Sequence, residues 1–343
     1  MNYKCFIILI SLFILLLNSC IDDNVVPPLT GDLIPSAELL VYFENQGDFI
    51  NSFNAPPLVD AEEVYQNMDS YPIIDIRPRE DFLSGHIKGS LNITTDSLFN
   101  YFQNLEASLY KKIIIVSGSG QSSAYFACLL RLAGIDNVYS MNFGLASWNE
   151  IFANEWLEAI GDDPNVGTYT NDDFPKNDYT NLPDITFDNP DAQIEEKTKS
   201  RIKKIMSAGF VQDINYVYDF PEIGSRYLVC YGLSRLYFSP IFGPLGGLGH
   251  RHQVVYYMSE PVFELRSVNY LQTLPTDRKI LLYDETGQMG ACMVAYLRVL
   301  GYDAESLLFG GNHLVYSRVK GDDQLKQFAF DISDIKNYPY ITN

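Results

Sequence analysis

Basic charge is in short supply. Lysine and arginine number 24 against 43 aspartates and glutamates, so the 343-residue chain carries a formal charge of -19. Such a surface repels phosphate backbones and anionic headgroups, which excludes nucleic acid as a partner and adhesion of the folded part to an anionic leaflet. Cysteine is sparse as well: Cys5, Cys20, Cys128, Cys230 and Cys292 stand far apart, with no C-x-x-C pair. That spacing offers neither a disulfide framework nor a thiolate metal site, and it predicts buried thiols at Cys128, Cys230 and Cys292. Histidine is limited to His86, His250, His252 and His313. His250 and His252 sit two apart without a carboxylate beside them, so no metal and no cofactor is expected. The one long apolar run, residues 6–17, stops at Asn18, short of the roughly 20 residues a spanning helix needs.

What is present is a globular composition, 47% apolar and 14% aromatic, on a chain long enough for two domains. The N-terminus has Lys4, the apolar run, and then Leu17-Asn18-Ser19-Cys20, which resembles the lipobox of a bacterial lipoprotein signal. The resemblance implies removal of residues 1–19 and lipidation of Cys20. Acyl chains there would anchor the protein to the cell envelope, at the outer membrane, facing the periplasm or the surface. Residues 20–35 read as a tether.

Further on, the β-branched run Ile113-Ile114-Ile115-Val116 ends in a loop of small residues and leads into an apolar helix. The loop is Ser117, Gly118, Ser119, Gly120, Gln121, Ser122 and Ser123. Strand, tight loop and helix N-terminus make an anion nest, in which successive N–H groups and the helix dipole converge. Short apolar strands alternate with helical patterns from Leu58 to Met141. The pattern predicts an α/β fold, a parallel sheet flanked by helices, with its site beyond the carboxyl ends of the strands.

Upstream of that loop stand Asp75-Ile76-Arg77 and Gly85-His86-Ile87-Lys88-Gly89-Ser90-Leu91-Asn92. With the loop, they resemble the rhodanese family: D-x-R, then G-H-I-x-G-A-x-N, then a strand and the loop C-x-x-G-x-R-S. The resemblance implies that Asp75, Arg77 and His86 support the loop. It also implies that the nucleophilic cysteine is replaced by Ser117 and the loop arginine by Ser122. Phe143 stands in place of the first glycine of the family's G-G-x-x-x-W, which implies an altered pocket rim.

The pattern then recurs after a polar, acidic stretch. Cys230 takes the place of Asp75, Gly249-His250 that of Gly85-His86, Asp284 that of Ser117, and Met289 that of the loop arginine. We therefore expect two rhodanese-like domains, 36–158 and a diverged 196–343, joined by an acidic linker over 159–195. A carboxylate at Asp284 would itself accept the nest's N–H groups and repel an incoming anion. The apolar, glycine-rich insertion at 238–249 reads as a docking surface or as packing between the copies.

Sulfur transfer needs a thiolate, and neither loop holds one. The expectation is therefore a protein whose domains lack catalytic residues and bind a small anion or an unidentified partner protein, with the membrane reached through the lipid. The alternative is a sulfurtransferase using a non-standard thiol, for which Cys230, at a strand's carboxyl end, is the candidate. A serine hydrolase built on Ser117 is more remote, because no histidine is aimed at it.

Overall fold

The computed structural model describes residues 33–163, 169–210, 212–213, 226–238, 249–251 and 253–342. Cys20, the tether up to residue 32, His252 and nearly all of the 238–249 insertion lie outside the described residues.

In chain order the first half comprises α1 (Pro35–Asn45), β1 (Leu58–Val59), α2 (Ala61–Gln66), β2 (Ile73–Asp75) and α3 (Arg79–Ser84). It continues with β3 (Leu91–Asn92), α4 (Thr95–Asn104), β4 (Ile113–Val116), α5 (Gln121–Leu132), β5 (Val138–Met141) and α6 (Asn154–Ala159). Each residue of β4 is fully buried, as a β-branched strand covered on both faces must be. The five strands form one parallel sheet in the order β1-β5-β4-β2-β3.

Next come β6 (Tyr169–Thr170), α7 (Ile194–Ser207), β7 (Gln212–Asp213), β8 (Arg226–Gly232), α8 (Ser234–Tyr237), β9 (His250–Arg251) and β10 (Val255–Met258). The chain ends with β11 (Lys279–Tyr283), α9 (Gln288–Leu300), β12 (Ala304–Leu307), α10 (Gly311–Leu314) and α11 (Tyr316–Gly321). The second sheet is also parallel, in the order β7-β12-β11-β8-β10. The fold is thus α/β, with two helix-flanked parallel sheets of the same strand order. The registers correspond too: Asp75 pairs with Val116, and Cys230 with Tyr283, one residue before each loop.

Helices α5 and α9 pack on each other, and a single apolar cluster runs from Ile113 and Ile115 through both helices to Ile280 and Leu282. Residues Ile34–Asn343 accordingly form one compact unit. This packing corrects one expectation. Cys128 in α5 and Cys292 in α9 are joined in a disulfide, with their Cα atoms 5.4 Å apart. Their 164-residue separation hid the pairing, which requires the two helices to meet face to face. Part of the stretch expected to be a linker is also built in: β6 pairs antiparallel with β9, and the Asp163 amide donates to the Leu314 carbonyl at 2.8 Å.

Each end of the unit crosses to the other half. Helix α1 packs on α7 and α9, with Phe43 against Tyr296. The C-terminal segment returns over the first sheet, where the Trp148 indole donates to the Pro339 carbonyl at 2.9 Å and Tyr338 stacks on Tyr65. Among the described residues, no helix is long and apolar enough to cross a membrane.

Candidate functional site

The loop after β4 curls around its own first side chain. Ser117 Oγ accepts from the Gly120 and Ser123 amides, each at 3.2 Å, and donates to Ser123 Oγ at 3.1 Å. Ser123 Oγ in turn meets Ser140 Oγ at 2.7 Å, so a chain of hydroxyls fills the cradle. Gly120 has φ of +86°, and a Cβ there would lie 2.6 Å from the Gly144 amide nitrogen, so only glycine fits. Above the loop, the Trp156 indole donates to the Ser119 carbonyl at 3.0 Å. The Trp156 ring lies between Phe143 and Phe309 and against Phe330.

Asp75 and Arg77 form an ion pair at 2.7 Å, and Arg77 also donates to the Gly85 carbonyl at 2.7 Å. Asn92 Nδ2 donates to the carbonyls of Asp75 and Arg77, which ties this turn to β3. The His86 ring is buried, stacks on Phe82 and bonds the Phe82 carbonyl through Nδ1 at 2.8 Å. The His86 main chain pairs with Ile341, so these bonds go to α3 and to the C-terminal segment.

The loop after β11 repeats the curl around a carboxylate. Asp284 accepts from the Gly290 amide at 3.0 Å and the Thr286 amide at 3.1 Å, with the Thr286 hydroxyl at 3.3 Å. Burial raises the Asp284 pKa in spite of these donors. Next to it, burial and then the Asp284 charge push the Glu285 carboxyl up to about 8.

The two loops face each other and exchange glutamines. Gln288, the first residue of α9, accepts from the Phe143 amide at 2.8 Å and donates to Asn142 Oδ1 at 2.9 Å. Gln121, the first residue of α5, accepts from the Phe309 amide at 2.7 Å and donates to the Leu307 carbonyl at 3.3 Å. Both glutamines are fully buried. Both phenylalanines have left-handed backbones, φ 57° and 61°, held by the opposite half's glutamine. Sequence position places Gln121 in the nest but does not show its reach across the molecule, nor that of Gln288. Their shared station, directly after Gly120 and Gly287, was the available signal.

Residues 60–151 match the rhodanese-like domain family. Over 81 residues the chain is 33% identical to the thiosulfate sulfurtransferase GlpE of Shewanella oneidensis, a match covering 24% of this chain and 78% of that protein. The chain belongs to the rhodanese family. A second match, 35% identical over 83 residues, is to the uncharacterised protein YibN of Escherichia coli K12. It covers 24% of this chain, which thus spans 58% of the length of YibN. Among solved structures, a thiosulfate sulfurtransferase from Pseudomonas aeruginosa aligns over 90% of this chain and 70% of its own, at 12% identity and a TM-score of 0.26.

Rhodanese chemistry would need an accessible thiolate. Among the described residues the one free cysteine is Cys230, fully buried at its strand end. Burial, reinforced by the nearby Glu285 charge, holds its thiol well above the ordinary range. Burial of this kind disfavours the thiolate form.

Proposed function

We propose that this is a lipid-anchored envelope protein in which a rhodanese-like domain, 36–158, and a diverged copy, 196–343, act without sulfur-transfer chemistry by binding a partner. One observation carries the reading: both cradles are filled from within, by the Ser117 hydroxyl and the Asp284 carboxylate, where this resemblance calls for a persulfide-carrying thiol. The self-filled Ser117 loop favours a partner protein over a small anion at its centre. The Cys128–Cys292 disulfide supports an oxidising compartment, and so export. Lipidation of Cys20 rests on the lipobox resemblance. The likeness to GlpE favours the sulfurtransferase alternative, against which stands the burial of Cys230, its remaining thiol among the described residues.

The test is to incubate the protein with thiosulfate and cyanide. We expect thiocyanate no higher than in a Cys230→Ser control, and turnover above that control would defeat the reading. Lipidation is tested independently, by incorporation of labelled palmitate that is lost in Cys20→Ala.

A further inference from the structure

A cavity of about 220 Å³ opens at the mouth of the Asp284 loop, between that loop, the segment preceding β1 and the turn after β10. Four phenylalanines line it, Phe53, Phe143, Phe263 and Phe328, and Phe53 meets Phe263 edge to face with ring centres 5.1 Å apart. The charged groups among its described lining residues are all acidic: Glu260, Asp284 and Glu285. Asp284 turns both oxygens to its own loop.

Two further polar groups are over nine-tenths buried at the wall and lack a complete set of partners. Glu285 is 5% exposed and accepts through Oε1 from the Leu233 amide at 2.7 Å, while its Oε2 has no protein partner among the described residues. Ser259 is 6% exposed, and its Oγ likewise has none. Both atoms are open to the cavity rather than sealed from it, so each can exchange water for an N–H of whatever enters. The described lining offers an anion no cation, whereas acceptor oxygens beside aromatic rings suit a cation with an apolar stem, whose charge would stabilise the ionised Glu285 that the empty cavity keeps protonated. A cavity of this size admits a small guest.

We propose that this cavity binds a primary alkylammonium group, supplied by a free short-chain amine or by a lysine side chain. Its N–H donors go to Glu285 and Ser259, and its methylenes lie against the phenylalanine rings. The inference gives the binding role proposed above a ligand class and rests on that reading.

Calorimetric titration of the full chain tests it, with 1,4-diaminobutane as the free amine, Nα-acetyl-lysine methylamide as the side chain and 1-butanol as the uncharged analogue. We expect saturable binding of an ammonium probe and none of butanol, with affinity reduced about tenfold or more in Glu285→Gln and in Ser259→Val. Binding should be unchanged in Lys199→Ala, on the exposed face of α7 and away from the cavity. A preference for diaminobutane identifies a free amine as the source, and a preference for the lysine derivative identifies a partner's side chain. Both variants are checked by thermal melting, and the isosteric Glu285→Gln removes the ionisable carboxyl without removing volume. Absence of saturable binding by either ammonium probe at millimolar concentration overturns the inference. So does equal affinity in folded Glu285→Gln and Ser259→Val. Amine binding together with thiosulfate turnover would sink the non-catalytic reading alone, and neither binding nor turnover would sink this inference alone.

Discussion

Burial and then the Asp284 charge disfavour the ionised Glu285, so with the cavity empty the folded protein holds its proton up to about pH 8. An unfolded glutamate releases that proton near its ordinary value, so between the two the native state binds more protons than the unfolded one. Stability contributed by this group is therefore complete below the unfolded pKa and is lost as pH rises through about 8. Asp284, raised in the same direction by burial, adds to the slope. Glu285→Gln should gain on the parent protein by a few kcal/mol between about pH 5 and about pH 9, measured by urea denaturation at both. An unchanged difference across that range would refute the assignment. The wall residues of this site were partly legible in sequence, since Asp284 follows from its station after an apolar strand. Glu285 and Ser259 were not, because their burial depends on segments far along the chain.

Helices α5 and α9 begin with a glutamine after a left-handed glycine and meet at a disulfide. Closing a loop of 164 residues restricts the unfolded chain, and removing such a link costs about 2–5 kcal/mol in small domains. The double variant Cys128→Ala, Cys292→Ala should lose stability of that order and become insensitive to reductant, as read from urea midpoints with and without dithiothreitol. If reductant leaves the parent protein's midpoint unmoved, the bond contributes nothing. The glutamine exchange makes a second demand on the same helices. Gln288→Ala leaves the buried Phe143 amide without its acceptor, so a loss of about 1–3 kcal/mol is expected in the same urea experiment.

The molecule as a whole is laced at both ends. Asp48, just after α1, pairs with Arg266 in the second half at 3.1 Å, while the C-terminal segment bonds Trp148, Asn149 and His86 in the first. A fragment comprising residues 36–158 loses the partner of α5 and the cover over Trp148 together. Expressed alone, it should lack the cooperative thermal transition of the full chain, as followed by far-ultraviolet circular dichroism. A sharp transition at the parent temperature would show the halves to be energetically independent.

The strands Leu58–Val59 and Ile113–Val116, the helix over 61–66 and the curl at Ser117 were all readable along the chain. So was the second sheet, from the recurrence of strand, loop and helix. These features depend on residues within a turn or two of one another, where periodicity, β-branching and glycine act directly. Only the tertiary structure decided that Cys128 meets Cys292, that Gln121 and Gln288 trade acceptors, and that the open cleft lies at the acidic loop rather than the serine one. Those outcomes depend on how two apolar helix faces more than 150 residues apart pack together, and local sequence pattern carries no record of that geometry.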